Sequence, residues 1–262
     1  MPNALRIGAA GMMVNKFRGS VAANNTANIN TVGYKKGRGL LSEVNLRSSR
    51  ILRRNRAGAV YSPVVSSRSR GVKVKGMSRI SSQGTIYQSG NQADIAILGE
   101  GFFQIAMPNG RAAYTRDGAF KISPEGILVT SDGYNLQSSI TIPPDALNVI
   151  IGSDGRVQSQ RQGETEPVFL GQIKMARFQN PSGLKSIGSN LFEQTPSSGE
   201  PIIGIPGEEG FGKIIQGSLE DSNVDLAEEQ ITLIIEQRAF QASANIVKTA
   251  DQMMKTTINI KR

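Results

Sequence analysis

Cysteine, histidine and tryptophan are all missing from this 262-residue sequence, and each absence closes off a class of chemistry. Without Cys there is no disulfide, thiol nucleophile or thiolate-bound metal. Without His, neither a Ser-His-Asp triad nor the usual zinc sites can be built. An enzyme would be left with carboxylate, Lys, Tyr or Ser-Lys chemistry. The lack of Cys leaves the redox compartment open. No apolar run approaches the ~18 residues that a membrane span requires. Aromatic residues make up only 5% of the chain, so bulky anchors are few, while 29 Gly and 11 Pro supply many tight turns. The length suffices for one large or two modest domains.

Acidic residues are scarce early in the chain. Residues 1–75 carry 15 Lys/Arg against one acid, Glu43, a balance of +14, whereas residues 76–262 carry 15 against 20, or −5. The excess is densest in an arm over residues 35–75, at Arg47, Arg50, Arg53, Arg54, Arg56, Arg68 and Arg70 with Ser and Gly between them. No period of two or 3.6 persists there, which predicts an extended arm or long hairpin, with a strand beginning at Val72, Val74 and Met77. Three readings compete: a solvated linker, a nucleic-acid arm, or a surface complementary to the acidic part of another copy. Tyr34 and Tyr61 alone are too few to form a stacking platform for single strands.

What the chain does have is helix periodicity at both ends. Leu226, Leu233, Phe240, Val247 and Met254 recur at steps of seven, with Ala227, Ile231, Ile234, Ala242, Ile246, Ala250 and Met253 as a second apolar row. Asp225 and Glu228 form a capping-box pattern, Asn223 is an alternative cap, and acids on the first turn suit the helix dipole. The helix is expected to start near Asp225 and run some 35 residues, roughly 50 Å. Two apolar rows need partners on more than one side. At the other end Leu5, Ala9, Met13, Phe17 and Val21 rise in steps of four. That predicts a second amphipathic helix from Pro2 to about Ile29. A secretory signal over Ile7–Val14 is the rival reading; Lys16 and Arg18 follow at once and the stripe continues past them, which argues against it.

The centre, about 76–221, is β by pattern. Phe102–Met107, the turn Pro108-Asn109-Gly110 and Ala112–Thr115 make a hairpin. Phe120–Ile122, Pro124-Glu125-Gly126 and Ile127–Thr130 make another. Asp132-Gly133 and Asp154-Gly155 supply further turns, and Val168–Leu170 and Ile173–Phe178 later strands. This predicts a compact, mainly antiparallel sandwich or barrel. Gly99-Glu100-Gly101 lacks the helix and third glycine of a phosphate loop. Asp117, Asp132 and Asp154 each precede a Gly as turn residues do, and Glu208-Glu209 sits in a Gly/Pro-rich loop unsuited to acid-base pairing. No catalytic, cofactor-binding or metal-binding residue is expected.

The most specific local signal is VAANNTANINTVGYKK, from Val21 to Lys36, where Asn-rich sequence ends a helix and Gly33 is free to take positive φ. It resembles the N-terminal signature of the bacterial flagellar axial proteins, the rod and hook family, roughly ANNLANxxTxGFK. Ala23, Asn24, Asn25, Ala27, Asn28, Thr31, Gly33 and Lys35 match; Tyr34 replaces Phe and Thr26 replaces Leu. Ala93–Phe103, Tyr114–Gly118, Asn180–Leu184, Gly188–Phe192 and Gln216–Glu220 are similar to the family's central blocks. Ala227-Glu228-Glu229, Gln237–Phe240 and Thr249–Met253 are similar to its C-terminal signature. Length and the spacer after the N-terminal motif place the resemblance nearest the distal-rod branch; a hook protein would carry a larger central insertion.

The resemblance implies an α+β chain: an antiparallel β domain (76–221) flanked by N- and C-terminal helices (1–34 and 222–262) that pair as a discontinuous helical domain, with the basic arm (35–75) extended. It implies a structural subunit that assembles head-to-tail into a hollow helical tube, carrying motor torque, and that is exported through the growing axis without a cleaved signal. The implied partners are further copies, other rod proteins, the hook protein, the outer bushing rings and the export apparatus. No nucleic acid, membrane insertion or cofactor is implied. Assembly contacts are expected at Leu5, Met13, Phe17, Val21, Asn24, Asn25 and Asn28, at Arg53, Arg54 and Arg56 of the arm, and at Leu226, Leu233, Phe240, Val247 and Met254. Because the apolar ends find cover only in other copies, they are expected to order on assembly.

Overall fold

A computed structural model describes residues 2–45, 69–138, 140–161 and 167–260. The described residues form two compact units. A helical unit is drawn from residues 1–24, 37–78 and 227–262, and a β unit from residues 25–36 and 79–226. The fold is α+β, with the two terminal helices packed together and a central antiparallel β region.

In the helical unit, helix α1 (Pro2–Ala27) and helix α2 (Leu226–Ile260, 35 residues) carry the terminal sequence. α2 begins one residue after Asp225, where negative charge meets the helix dipole. The two helices run antiparallel, since their contacts count up along α1 and down along α2. A Cβ placed on Gly8 would lie 2.7 Å from Val247 Cγ2, and one on Gly11 3.0 Å from Ser243 Oγ. Farther on, Arg18 pairs with Glu236 at 3.0 Å. Against other positions of α1 lie the strands Gly37–Asn45 and Ser69–Arg79, which pair as a two-stranded sheet, the described base of the expected long hairpin. Gly39 approaches the Phe17 ring, and Gly71 approaches Ile7 and Ala10. Arg53, Arg54 and Arg56 lie outside the described residues.

In the β unit every pairing is antiparallel. Strand Phe102–Ala106 pairs with Ala112–Thr115 in the register of the predicted hairpin, Ile105 opposite Ala113, and also with Asn135–Leu136 and Met175–Arg177. Alternate residues of this strand face opposite ways. Phe103 and Ile105 enter the main core with Ile95, Ile97, Phe120, Leu128, Val157, Met175 and Ile214. Phe102 joins a second cluster with Tyr114, Phe178 and Phe192, whose rings meet edge to face at centroid distances from 4.7 to 6.2 Å. The Asp154-Gly155 turn joins Ala146–Ile151 to Arg156–Arg161. Asp117 and Asp154 act as turn residues, accepting from the amides of Ala119 and Arg156 at 3.0 and 3.1 Å.

Candidate functional site

The residues expected to make assembly contacts fall into two structural groups. On α1 the row of Leu5, Met13, Phe17 and Val21 does not share one environment: Val21 is buried, Leu5 and Phe17 are half-buried, and Met13 is 73% exposed. The reason is geometric. At 3.6 residues per turn, each step of four overshoots a full turn by about 40°, so a row of such steps winds around the helix instead of lining one side. The surface of α1 that meets α2 is instead Gly8, Gly11, Asn15 and Arg18, spaced three and four apart. These are small or polar residues, which an apolar stripe does not reveal. Their 3-4-3 spacing is the signal that was there to find.

On α2 the steps of seven do mark one side. Leu233, Val247 and Met254 are half-buried, while Leu226 and Phe240 keep about two fifths of their surface. The more deeply covered positions stand three residues on: Glu229, Glu236 and Ala250 are buried and Ser243 faces Gly8 and Gly11. Together the two sets make an a/d seam in which one series is apolar and the other polar or small. Glu236 is 3% exposed and pairs with Arg18, which is itself about half exposed. Beside this pair Asn15, Gly19, Leu233, Gln237 and Phe240 line a groove of about 650 Å³. The second apolar row has a different fate. Ile231, Ile234 and Ile246, with the adjoining Ile235, are each more than half exposed, and only Ala250 of that row is buried.

The N-terminal signature is divided: Val21 to Asn24 belong to the helical unit, and Asn25 to Lys36 to the β unit. Asn25 is buried and accepts from the Tyr34 hydroxyl at 3.2 Å; Asn28 accepts from Thr31 Oγ1 at 3.2 Å; Asn24 is exposed. Gly33 takes φ +67° and its amide donates to the Glu220 carbonyl at 2.8 Å. Lys35 Nζ meets the Glu220 carboxylate, which also accepts from Arg116 Nη1 at 3.3 Å and from the Gly84 amide at 2.9 Å. All three charged groups are buried. Burial pulls the Lys35 and Arg116 cations below their ordinary values, against the opposing pull of Glu220. Nearby, burial pushes the Asp117 carboxyl up, offset in part by the Ala119 amide and the Asn190 side chain. Asn223, the alternative helix cap of the sequence pattern, is spent elsewhere: its Oδ1 accepts from the Lys36 amide at 2.7 Å and its Nδ2 donates to the Ile80 and Ser82 carbonyls, each at 3.0 Å. Arg116 and Glu220 lie within blocks similar to the family's, yet local pattern assigns neither a role; 104 residues separate them.

Among the described residues no group of three acids is placed to hold a metal ion, and no helix is long and apolar enough to cross a membrane. The arrangement is one of surfaces and internal fastenings, and similarity to known proteins agrees with that. Residues 96–159 match the flagellar hook protein FlgE/F/G D1 domain, and residues 215–260 match the flagellar basal body rod FlgEFG protein C-terminal region. The chain is 39% identical to the flagellar basal-body rod protein FlgG of Borreliella burgdorferi and 37% identical to that of Bacillus subtilis, covering the whole of both chains each time. To the flagellar hook protein FlgE of Salmonella typhimurium it is 41% identical over 119 residues, 45% of this chain and 29% of the other. The chain thus belongs to the FlgE/F/G family of bacterial flagellar hook and basal-body rod proteins, and it is along its full length that it is similar to the rod members.

Proposed function

We infer that this protein is a structural subunit of the flagellar basal-body rod, in the distal section, which builds a hollow helical shaft by head-to-tail addition of copies and carries motor torque to the hook. Its place is the basal body of the flagellum, and its work is structural, without catalysis. The observation that carries this reading is the open row on α2. α1 takes one side of that helix, and Ile231, Ile234, Ile235 and Ile246 are left exposed on a helix whose seam is otherwise paired. A run of exposed isoleucines along a long helix is surface kept for another protein. Neighbouring copies offer the same helices, and a heterologous contact between like subunits generates a helical array.

The partners that follow are other copies, other rod proteins and the hook protein at the two ends of the stack, the bushing rings around it and the export apparatus beneath it. Leu233, Phe240, Val247 and Met254 serve the inner packing of the tube, and the Arg-rich arm braces neighbours. Negative-stain images of the purified protein at high concentration test the reading: tubes are expected. A chain that stays monodisperse at every concentration, or that loses DNA affinity and nothing else when residues 46–68 are deleted, would overturn it.

A further inference from the structure

The chain passes between its two units four times, after Asn24, Lys36, Ser78 and Leu226. On the β-unit side all four passages are fastened at one place. At the first, Asn25 is tied to Tyr34. At the second, the Lys36 amide is held by Asn223 and its carbonyl accepts from the Ile80 amide at 2.8 Å. At the third, Arg79 donates to the Lys35 carbonyl at 2.7 Å and lies over the Tyr34 ring, 4.8 Å from its centroid. Near the fourth, Asn223 reaches back to Ile80 and Ser82. Beneath them lies Glu220, the carboxylate shared by Lys35, Arg116 and the Gly84 amide.

We propose that this knot is a mechanical clamp: one buried carboxylate, Glu220, ties the four passages together, so that force entering along any one is shared by all and passes into the β unit through the strand Ser218–Glu220, which pairs with Ile86–Gln88. The mechanical purpose rests on the rod reading; the geometry does not. The chemistry suits a clamp better than an apolar plug would. A buried ion cluster adds little net stability, yet removing one partner strands the others uncompensated in a low dielectric. A passage therefore cannot peel away alone at small cost. With two cations to one carboxylate, Glu220 is the member whose loss is worst, leaving two like charges buried together.

Hydrogen exchange on the full chain, read by mass spectrometry, tests this. In Glu220→Gln the amides of residues 25–36, 79–84 and 218–224 are expected to exchange together, roughly 100-fold faster, while the Phe102–Ala106 and Ala112–Thr115 hairpin keeps its protection. Asn223→Ala removes hydrogen bonds and no charge, and is expected to speed the same three segments about tenfold. It carries the test should Glu220→Gln fail to fold. Acceleration confined to the segment that bears the substitution overturns the clamp. Cells carrying Asn223→Ala supply the mechanical readout: complete basal bodies with rotation weakened under viscous load are expected, and undiminished rotation overturns the mechanical role. A wild-type protein that forms no tubes would sink the rod reading alone, because exchange in the monomer is measured independently of assembly.

Discussion

Replacing Gly33 with Ala should cost the β unit about 1–4 kcal/mol, and the contributions can be worked separately. The residue sits at φ +67°, where a Cβ costs about 1–2 kcal/mol. Ala also narrows the unfolded ensemble and returns about 0.4–1 kcal/mol. Together they leave a net cost of about 1 kcal/mol or less. What decides the outcome is space: a Cβ on Gly33 would lie 2.6 Å from the Asp117 amide nitrogen and 2.7 Å from the Arg116 carbonyl carbon. These are backbone atoms of the chain that carries Arg116 to Glu220, and they cannot rotate aside. Overpacking of this kind adds about 1–3 kcal/mol. Gly110→Ala is the control, since Gly110 has φ +76° and nothing within 4 Å of where the added methyl would stand; it carries the strain alone and should cost about 1 kcal/mol or less. Urea unfolding followed by circular dichroism in the β region measures both. Equal midpoints for the two variants would refute the packing argument, whatever their shift from wild type.

Three further outcomes follow from the same structure. Ile231→Asp with Ile234→Asp should raise the concentration needed for polymers to sediment by about 100-fold or more, since each isoleucine contributes about 1.5–3 kcal/mol when covered; an unchanged threshold would mean that the open row of α2 is not a contact. Reversing Arg53, Arg54 and Arg56 to Glu should weaken polymerisation most at low ionic strength, where the Debye length approaches about 30 Å, and pelleting equal to wild type there would remove the arm from the assembly. Asp117→Asn should raise the urea midpoint at pH 7. The sign follows from burial: a carboxyl raised in the folded state favours folding below its unfolded value and loses that advantage as pH rises through the folded one. The benefit of Asn should therefore shrink as pH is lowered toward about 4, the ordinary Asp value, and a gain that stays constant with pH would rule out the desolvated charge as its source.

Much of the architecture is visible in local pattern. The heptad of Leu226, Leu233, Phe240, Val247 and Met254 located α2, and Pro108-Asn109-Gly110, Pro124-Glu125-Gly126 and Asp154-Gly155 located hairpins, because periodicity and turn chemistry act over a few residues. Short strands such as Asn135–Leu136 and Ile202–Gly204 left no such mark. Two or three residues are too few to show a period, and their pairing is imposed by neighbours already in place. The helix seam shows the same limit from another side. Gly8, Gly11 and Asn15 have no apolar side chain to advertise, so their role is defined by what stands opposite, Val247 and Ser243.

By itself, then, the order of residues determined that the ends are long helices, that the middle is antiparallel β, and that α2 has more apolar surface than one helix can cover. The tertiary structure alone decided which row of α2 meets α1 and which stays open. It alone brought Gly33 and Lys35 of the signature onto Glu220 and buried Asn25 against Tyr34, while Asn24 stays exposed. The physical reason is range. Backbone propensity and side-chain period are properties of neighbours along the chain, whereas Lys35 and Glu220 are 185 residues apart, and the burial that makes their charges matter exists only once the sheet has brought them together.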